Sequence, residues 1–269
     1  MNGRAVIINS LRWLAGALAV LAVFGTAAQT VPTVVDLPTR PGVTQRLLVL
    51  APPAPVAAVI LFAGGHGGLQ IGPAGELSWG EGNFLIRSRR HFVDARLLTV
   101  IVDAPSDRQY RPFLAGFRQG TEHAADIAAV IAWVRRQAAI PVWLVGTSRG
   151  TQSVAAVATR LAPADGPDGL VLTASILRDR QAPAVPEMPL DRLAIPVLVV
   201  HHELDGCSYC AFSDLPALID KLQGLPRRGV LSFRDGVSRG DPCEAWSYHG
   251  FNGIEGDVVA QIAAWLLAP

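Results

Sequence analysis

The stretch "WLVGTSRGTQSVAAVA", Trp143 to Ala158, sets one serine between two glycines where an apolar run gives way to a helical pattern. Gly146-Thr147-Ser148-Arg149-Gly150 fits G-x-S-x-G, but so does Gly236-Val237-Ser238-Arg239-Gly240, so context must choose between them. Ser148 follows the strand-length run Val142–Val145 and precedes Thr151–Leu161, an Ala- and Val-rich stretch long enough for three turns of helix. Ser238 is followed by Asp241-Pro242, where no helix can continue. Only Ser148 has strand, sharp turn and helix in succession. Such a turn lifts the hydroxyl clear of the strand and aims the free N–H groups of the helix start at developing negative charge.

Outward from Ser148, apolar runs of strand length recur at Gln45–Ala51, Ala57–Ala63, Leu97–Val102, Gly169–Thr173, Val197–His201 and Gly229–Phe233. Helical patterns lie between several of them. Ile127, Val130, Ile131 and Val134 share one helical face, as do Val258, Ile262, Trp265 and Leu266. Alternation of this kind predicts an α/β fold with a mostly parallel central sheet flanked by helices, because parallel strands need crossovers. Ligands of such sheets sit at the carboxyl ends of the strands, so the residues after each run carry the functional reading. The Pro-rich pieces 31–41, 52–55 and 182–189 read as loops, and neither a repeat nor a domain boundary stands out.

The first residues read as a signal segment, 1–28. Arg4 and Arg12 precede the apolar run Trp13–Phe24 and the small residues Gly25-Thr26-Ala27-Ala28. A run of a dozen residues falls short of the roughly 20 that a spanning helix needs. The expectation is a cleaved Sec-type signal, a lead-in over 29–44, one domain over 45–269, and a periplasmic or secreted protein with no stable membrane association after cleavage. Removing Arg4 and Arg12 takes the formal charge from +1 to −1, and no basic block remains, which argues against nucleic acid and for a small-molecule partner.

A serine hydroxyl needs a base within hydrogen-bond reach, itself oriented by an acid. Val197–His201 is followed by Asp205 in a Gly-marked turn, with Glu203 and Asp179 as rival acids. Of the six histidines only His249 follows Asp205, in the loop "SYHGFNGIEG" between the last strand and the last helix. His91 and His123 fall in helical or pre-helical sequence and are expected to face solvent. His201 and His202 are expected to pack beside the acid loop, with His202 also in reach of a substrate. The glycines of "LFAGGHGGL", Leu61 to Leu69, allow backbone N–H groups to point at a site, so an N–H from Gly65 or His66 would join that of Arg149 in an oxyanion hole. A phosphate loop is disfavoured there, since neither Lys-Ser/Thr nor the G-x-G-x-x-G spacing follows.

From about residue 45 onward the chain resembles the α/β-hydrolase superfamily. "VGTSRGT", "VLVVHHELDGC" and "DPCEAWSYHGFNGIE" are similar to a group of exported bacterial members described only as hydrolases. The resemblance implies Ser148 as nucleophile, Asp205 as acid and His249 as base, in the chain order of that superfamily. It also implies an activity without metal or organic cofactor, most naturally hydrolysis of carboxylic esters through an acyl-enzyme. An amidase or peptidase using the same triad, or a non-catalytic binding protein, are the alternatives. The interval Leu177–Ala194, where relatives carry a lid, is too short for a multi-helix cap, so a minimal lid is expected. Tyr110, Phe113, Trp246 and Tyr248 are the candidate pocket walls. Three cysteines allow one disulfide, and Cys207–Cys243 would tie the acid loop to the base loop, with Cys207–Cys210 as its rival.

Overall fold

The computed structural model describes residues 31–269, so the expected signal segment lies outside the described residues. Eight strands form one sheet: β1 (Thr33–Arg40), β2 (Val43–Leu50), β3 (Ala57–Phe62), β4 (Leu97–Pro105), β5 (Val142–Thr147), β6 (Gly169–Thr173), β7 (Val197–His202) and β8 (Arg228–Phe233). The helices are α1 (Phe84–Arg87), α2 (Arg89–Asp94), α3 (Thr121–Gln137), α4 (Arg149–Arg160), α5 (Leu215–Lys221) and α6 (Glu255–Leu267). Strand order across the sheet is β1-β2-β4-β3-β5-β6-β7-β8. β2 runs antiparallel to both of its neighbours, and every pairing from β4 onward to β8 is parallel. The predicted α/β architecture is therefore present.

The central strands are apolar on both faces because both faces are covered. In β3, Ala58, Ile60 and Phe62 pack towards α3, α4 and α5, while Ala57, Val59 and Leu61 pack towards α1, α2 and α6. In β5, Val142 and Leu144 take the first side and Trp143 and Val145 the second. The predicted helical stripes are the buried ones: Ile127, Val130, Ile131 and Val134 on α3, and Val258, Ile262 and Leu266 on α6. The segment 177–194 contributes two one-turn helices, Val185–Glu187 and Leu190–Arg192, whose Val185, Met188 and Leu190 sink into the core. It is pinned to the body of the domain, in keeping with the expected minimal lid.

Two expectations are overturned here. The Pro-rich piece 31–41 was expected to be a loop, yet Thr33–Arg40 is a strand. It is tolerated because β1 is an edge: it pairs with β2 alone, and its register slips between Pro38 and Arg40, where proline cannot donate to the ladder. His91 is exposed as expected, but His123 is buried. Its ring lies edge-on between Phe62 and Phe117, at 6.2 and 5.6 Å, and neither ring nitrogen has a hydrogen-bond partner.

Burial, reinforced by the charges of Arg118 and Arg40, pushes the His123 pKa down to about 3. A histidine depressed in the folded state binds its proton only after unfolding, so its stabilising effect is complete above the unfolded pKa of about 6.5 and is lost as pH falls below it. Between pH 7 and 5 this one group should cost about 2 kcal/mol. Urea unfolding of the wild type and of His123→Phe at both pH values tests this: the variant should lose markedly less stability on acidification, and an equal loss would remove His123 as the source.

Candidate active site

Ser148 sits where β5 hands over to α4, with φ 51° and ψ −127°, a left-handed backbone conformation that a serine adopts only under constraint. The constraint comes from its glycine neighbours. A Cβ on Gly146 would lie 2.5 Å from the Gly150 carbonyl oxygen, and one on Gly150 would overlap the Phe62 carbonyl oxygen at the end of β3. The turn is pinned further by Ser148 N–H donating to Thr173 O at 3.0 Å and by the Thr151 hydroxyl donating to Ser148 O at 2.6 Å. Ser148 itself is half-buried, whereas Ser238 lies exposed on irregular chain after β8.

The second component comes from the loops after β7 and β8. His249 Nδ1 is 2.8 Å from Asp205 Oδ2, and both residues are buried. Asp205 Oδ1 accepts from the Cys207 N–H at 2.9 Å, which fixes the carboxylate. A carboxylate at Nδ1 holds the proton there and leaves Nε2 as the basic nitrogen. Ser148 and His249 line the same cleft, of about 270 Å³. The rival acids are engaged elsewhere: Glu203 with Ser232 and Arg234, Asp179 with Arg149 at 2.8 Å and Gln152 at 3.0 Å.

His201 and His202 pack beside the acid loop as expected. His201 Nε2 donates to Cys210 O at 2.7 Å and stands 3.7 Å from Asp205 Oδ2, and burial holds its pKa down, so it stays neutral beside the carboxylate. His202 donates to Asp235 O at 2.8 Å and stacks on Tyr248 at 4.5 Å, away from the cleft lining.

Gly64 and Gly65 form the facing wall of the cleft. A Cβ on Gly64 would come within 2.9 Å of Ser148 Cβ, so this loop lies directly against the turn that carries Ser148. His66 turns away from the cleft. Its ring lies 3.8 Å from that of Trp79 and 4.4 Å from that of Phe113, and its Nδ1 accepts from Gly68 N–H at 3.1 Å. The loop is held at both ends: Arg118 donates to Ala63 O at 3.2 Å and Gly65 O at 3.1 Å, and Asp103 accepts from the N–H groups of Leu69, Gln70 and Ile71.

Of the four expected wall residues only Trp246 lines the cleft. Tyr110 is 84% exposed on the turn beyond β4, Phe113 is folded under the glycine loop against His66, and Tyr248 is covered by His202. Among the other walls are Trp79, Asn83 and Glu244, which sequence reasoning missed. Residues 76–83 have no periodicity to mark them, although Gly80-Glu81-Gly82-Asn83 before a short helix was a usable signal. The Asn83 carboxamide has its Oδ1 buried without a partner.

Cys207 and Cys243 are disulfide-bonded, with Cα atoms 4.5 Å apart, so the loops that carry Asp205 and His249 are covalently joined. Cys210 is the free thiol, fully buried, and burial raises its pKa, which keeps it protonated and inert. Cys207, Cys210 and His249 cluster within 4.8 Å, but with Cys207 in the disulfide they do not make a three-ligand metal site. Closing a 36-residue span contributes about 4 kcal/mol in the chain-entropy picture. Native alkylation should therefore spare Cys210 until denaturant is added, and non-reducing peptide maps should recover Cys207 with Cys243. A Cys207–Cys210 peptide would overturn the pairing.

A scan against protein-family models finds no match, and a search of curated proteins finds none. Solved structures do match. A lidless α/β serine hydrolase from Xanthomonas campestris shares 18% identity over 90% of this chain and 97% of its own, with a TM-score of 0.54. Esterase 2 of Thermogutta terrifontis shares 15% over 93% and 100%, with a TM-score of 0.61. Dienelactone hydrolase from Anabaena variabilis shares 15% over 88% and 98%, with a TM-score of 0.58. At such identities the likeness is one of fold, and it agrees with the strand order and with the turn at Ser148: this chain has the α/β-hydrolase fold.

Proposed function

We propose that the protein is an exported serine hydrolase acting on carboxylic esters. The observation that carries this reading is the convergence on one cleft of a strained serine turn and a histidine already oriented by a buried carboxylate. Ser148 Oγ attacks the ester carbonyl carbon while His249 Nε2 takes its proton, and Asp205 balances the imidazolium. The carbonyl oxygen, now anionic, receives the Arg149 N–H at the unpaired start of α4 and an N–H from Gly65 or His66, each donor being worth roughly 3 kcal/mol. The Asn83 carboxamide, beside the same wall, is a further donor. Collapse of the adduct breaks the bond to the alcohol, which leaves with the proton from His249. Water, deprotonated by His249, then releases the acid and restores Ser148. Apart from the ester and the water, every group in this sequence belongs to the protein, so the proposed steps call for no cofactor.

Export is supported by the signal-like pattern of residues 1–28 and by the disulfide, which persists in oxidising compartments. Among the described residues no helix is long and apolar enough to cross a membrane.

A fluorophosphonate probe should label Ser148 in the folded protein, and Ser148→Ala should lower kcat on a 4-nitrophenyl short-chain ester by at least three orders of magnitude. Ser238→Ala should stay within about twofold of wild type. Absence of labelling in folded material would sink the reading, and turnover of amides but not esters would move it to an amidase. Asn83→Ala should lower kcat about tenfold or more with little change in KM, the signature of a contact made in the transition state.

A further inference from the structure

Behind the glycine loop lies a second cavity, of about 590 Å³. Gly65 lines both this cavity and the cleft that holds Ser148, and Arg149, next to Ser148 in the chain, lines the cavity, so the two spaces are neighbours. Its charged lining is the guanidinium groups of Arg118 and Arg149; His66 and the carboxamides of Gln119, Gln152 and Gln181 are its other polar groups, and no acidic residue is among its lining residues.

Arg118 is the unusual member. It is only 5% exposed, and its hydrogen bonds go to Ser153 Oγ and to the carbonyl oxygens of Ala63 and Gly65, all of them neutral acceptors. Among the described residues no carboxylate lies within ion-pair distance of it, whereas Arg149 is paired with Asp179 at 2.8 Å. Of the two guanidinium groups that line the cavity, only that of Arg149 is paired. Burial first, and then the charge of Arg149, push the Arg118 pKa down to about 9, which still leaves it a cation at neutral pH. A buried cation without a counter-ion is costly, and three neutral acceptors take up three of its five N–H groups without balancing its charge. An anionic ligand in the cavity would.

We infer that this cavity is a subsite for a carboxylate, so that the substrates of the Ser148 cleft are esters carrying a free carboxylate a few bonds from the scissile carbonyl. Half-esters of short dicarboxylic acids have this chemistry on the acyl side, and esters of hydroxy acids have it on the alcohol side. The inference rests on the hydrolase reading for its substrates, but the binding of the anion does not need turnover.

Two experiments test it together. In the first, kcat/KM is compared for 4-nitrophenyl hydrogen glutarate against 4-nitrophenyl pentanoate, and for the butyrate ester of 4-hydroxybutanoic acid against butyl butyrate. At least one anionic ester should exceed its neutral counterpart tenfold or more, with the side identified by the pair that shows it. Gln181→Glu, which adds a like charge to the cavity wall at an exposed position, should lower that ratio about tenfold and chiefly through KM, and Arg118→Gln should lower it further. In the second, titration calorimetry of the Ser148→Ala protein should detect glutarate at concentrations where butyrate is silent, with binding weakened by salt. Ratios near one in both pairs, unmoved by Gln181→Glu, together with no glutarate binding, would overturn the subsite while leaving ester hydrolysis standing. Glutarate binding without turnover of any ester would instead keep the subsite and remove the hydrolase.

Discussion

The site depends on a steric constraint: at the start of α4, Gly150 lies so close to the Phe62 carbonyl that a single methyl group has no space. That contact brings the helix start against the end of β3, and with Gly146 it forces Ser148 into a left-handed conformation. The glycine loop leaving β3 is then necessarily beside the serine, which is why Gly64 almost touches Ser148 Cβ. Strain of this kind costs on the order of 1–3 kcal/mol and persists only where its surroundings over-determine it. Here the hydrogen bond to Thr173 and strands buried on both faces supply that rigidity.

The other half of the site is organised by charge. Asp205 is buried, and its oxygens are occupied by a backbone N–H and by His249. A second histidine, His201, stands nearby but is held by the Cys210 carbonyl and kept neutral by burial, so the two imidazoles do not compete for the same carboxylate oxygen. The disulfide joins the segments that carry Asp205 and His249 at a point two residues from the acid and six from the base. Their separation is thus set by a covalent bond in addition to packing.

Much of this was legible in the sequence, and what was not has physical reasons. The strands of the sheet centre read clearly because burial on both faces leaves continuous apolar runs such as Ala57–Phe62, and Ser148 read clearly because a strand and a helix flank it. Asp205 and His249 were expected to meet because both follow strands, where the topology directs loops to one edge, and their side chains do meet, at 2.8 Å. β1 was missed because prolines mask an edge strand that needs only one ladder. His123 was misjudged because one polar residue in a helix has no periodicity of its own, and the ring that fills the gap between Phe62 and Phe117 is chosen by tertiary shape. The cleft walls Trp79, Asn83 and Glu244 come from irregular loops, whose mutual approach no local pattern encodes. Arg118 illustrates the same limit: its position next to a helix says nothing about the missing counter-ion, which emerges only when the neighbours are counted in space.

The anchoring of segment 177–194 has a kinetic meaning. Val185, Met188 and Leu190 are held in the core, which anchors this stretch to the body of the domain. Where a cap must open, the slow step of turnover is often the release of product from beneath it. On the proposed serine-hydrolase reading, a cleft whose neighbouring segment is anchored in this way leaves the rate to the chemistry of acyl transfer and to diffusion. On the same reading, a cleft that stays accessible to water makes hydrolysis the natural fate of the proposed acyl-enzyme and disfavours transfer of the acyl group to another alcohol.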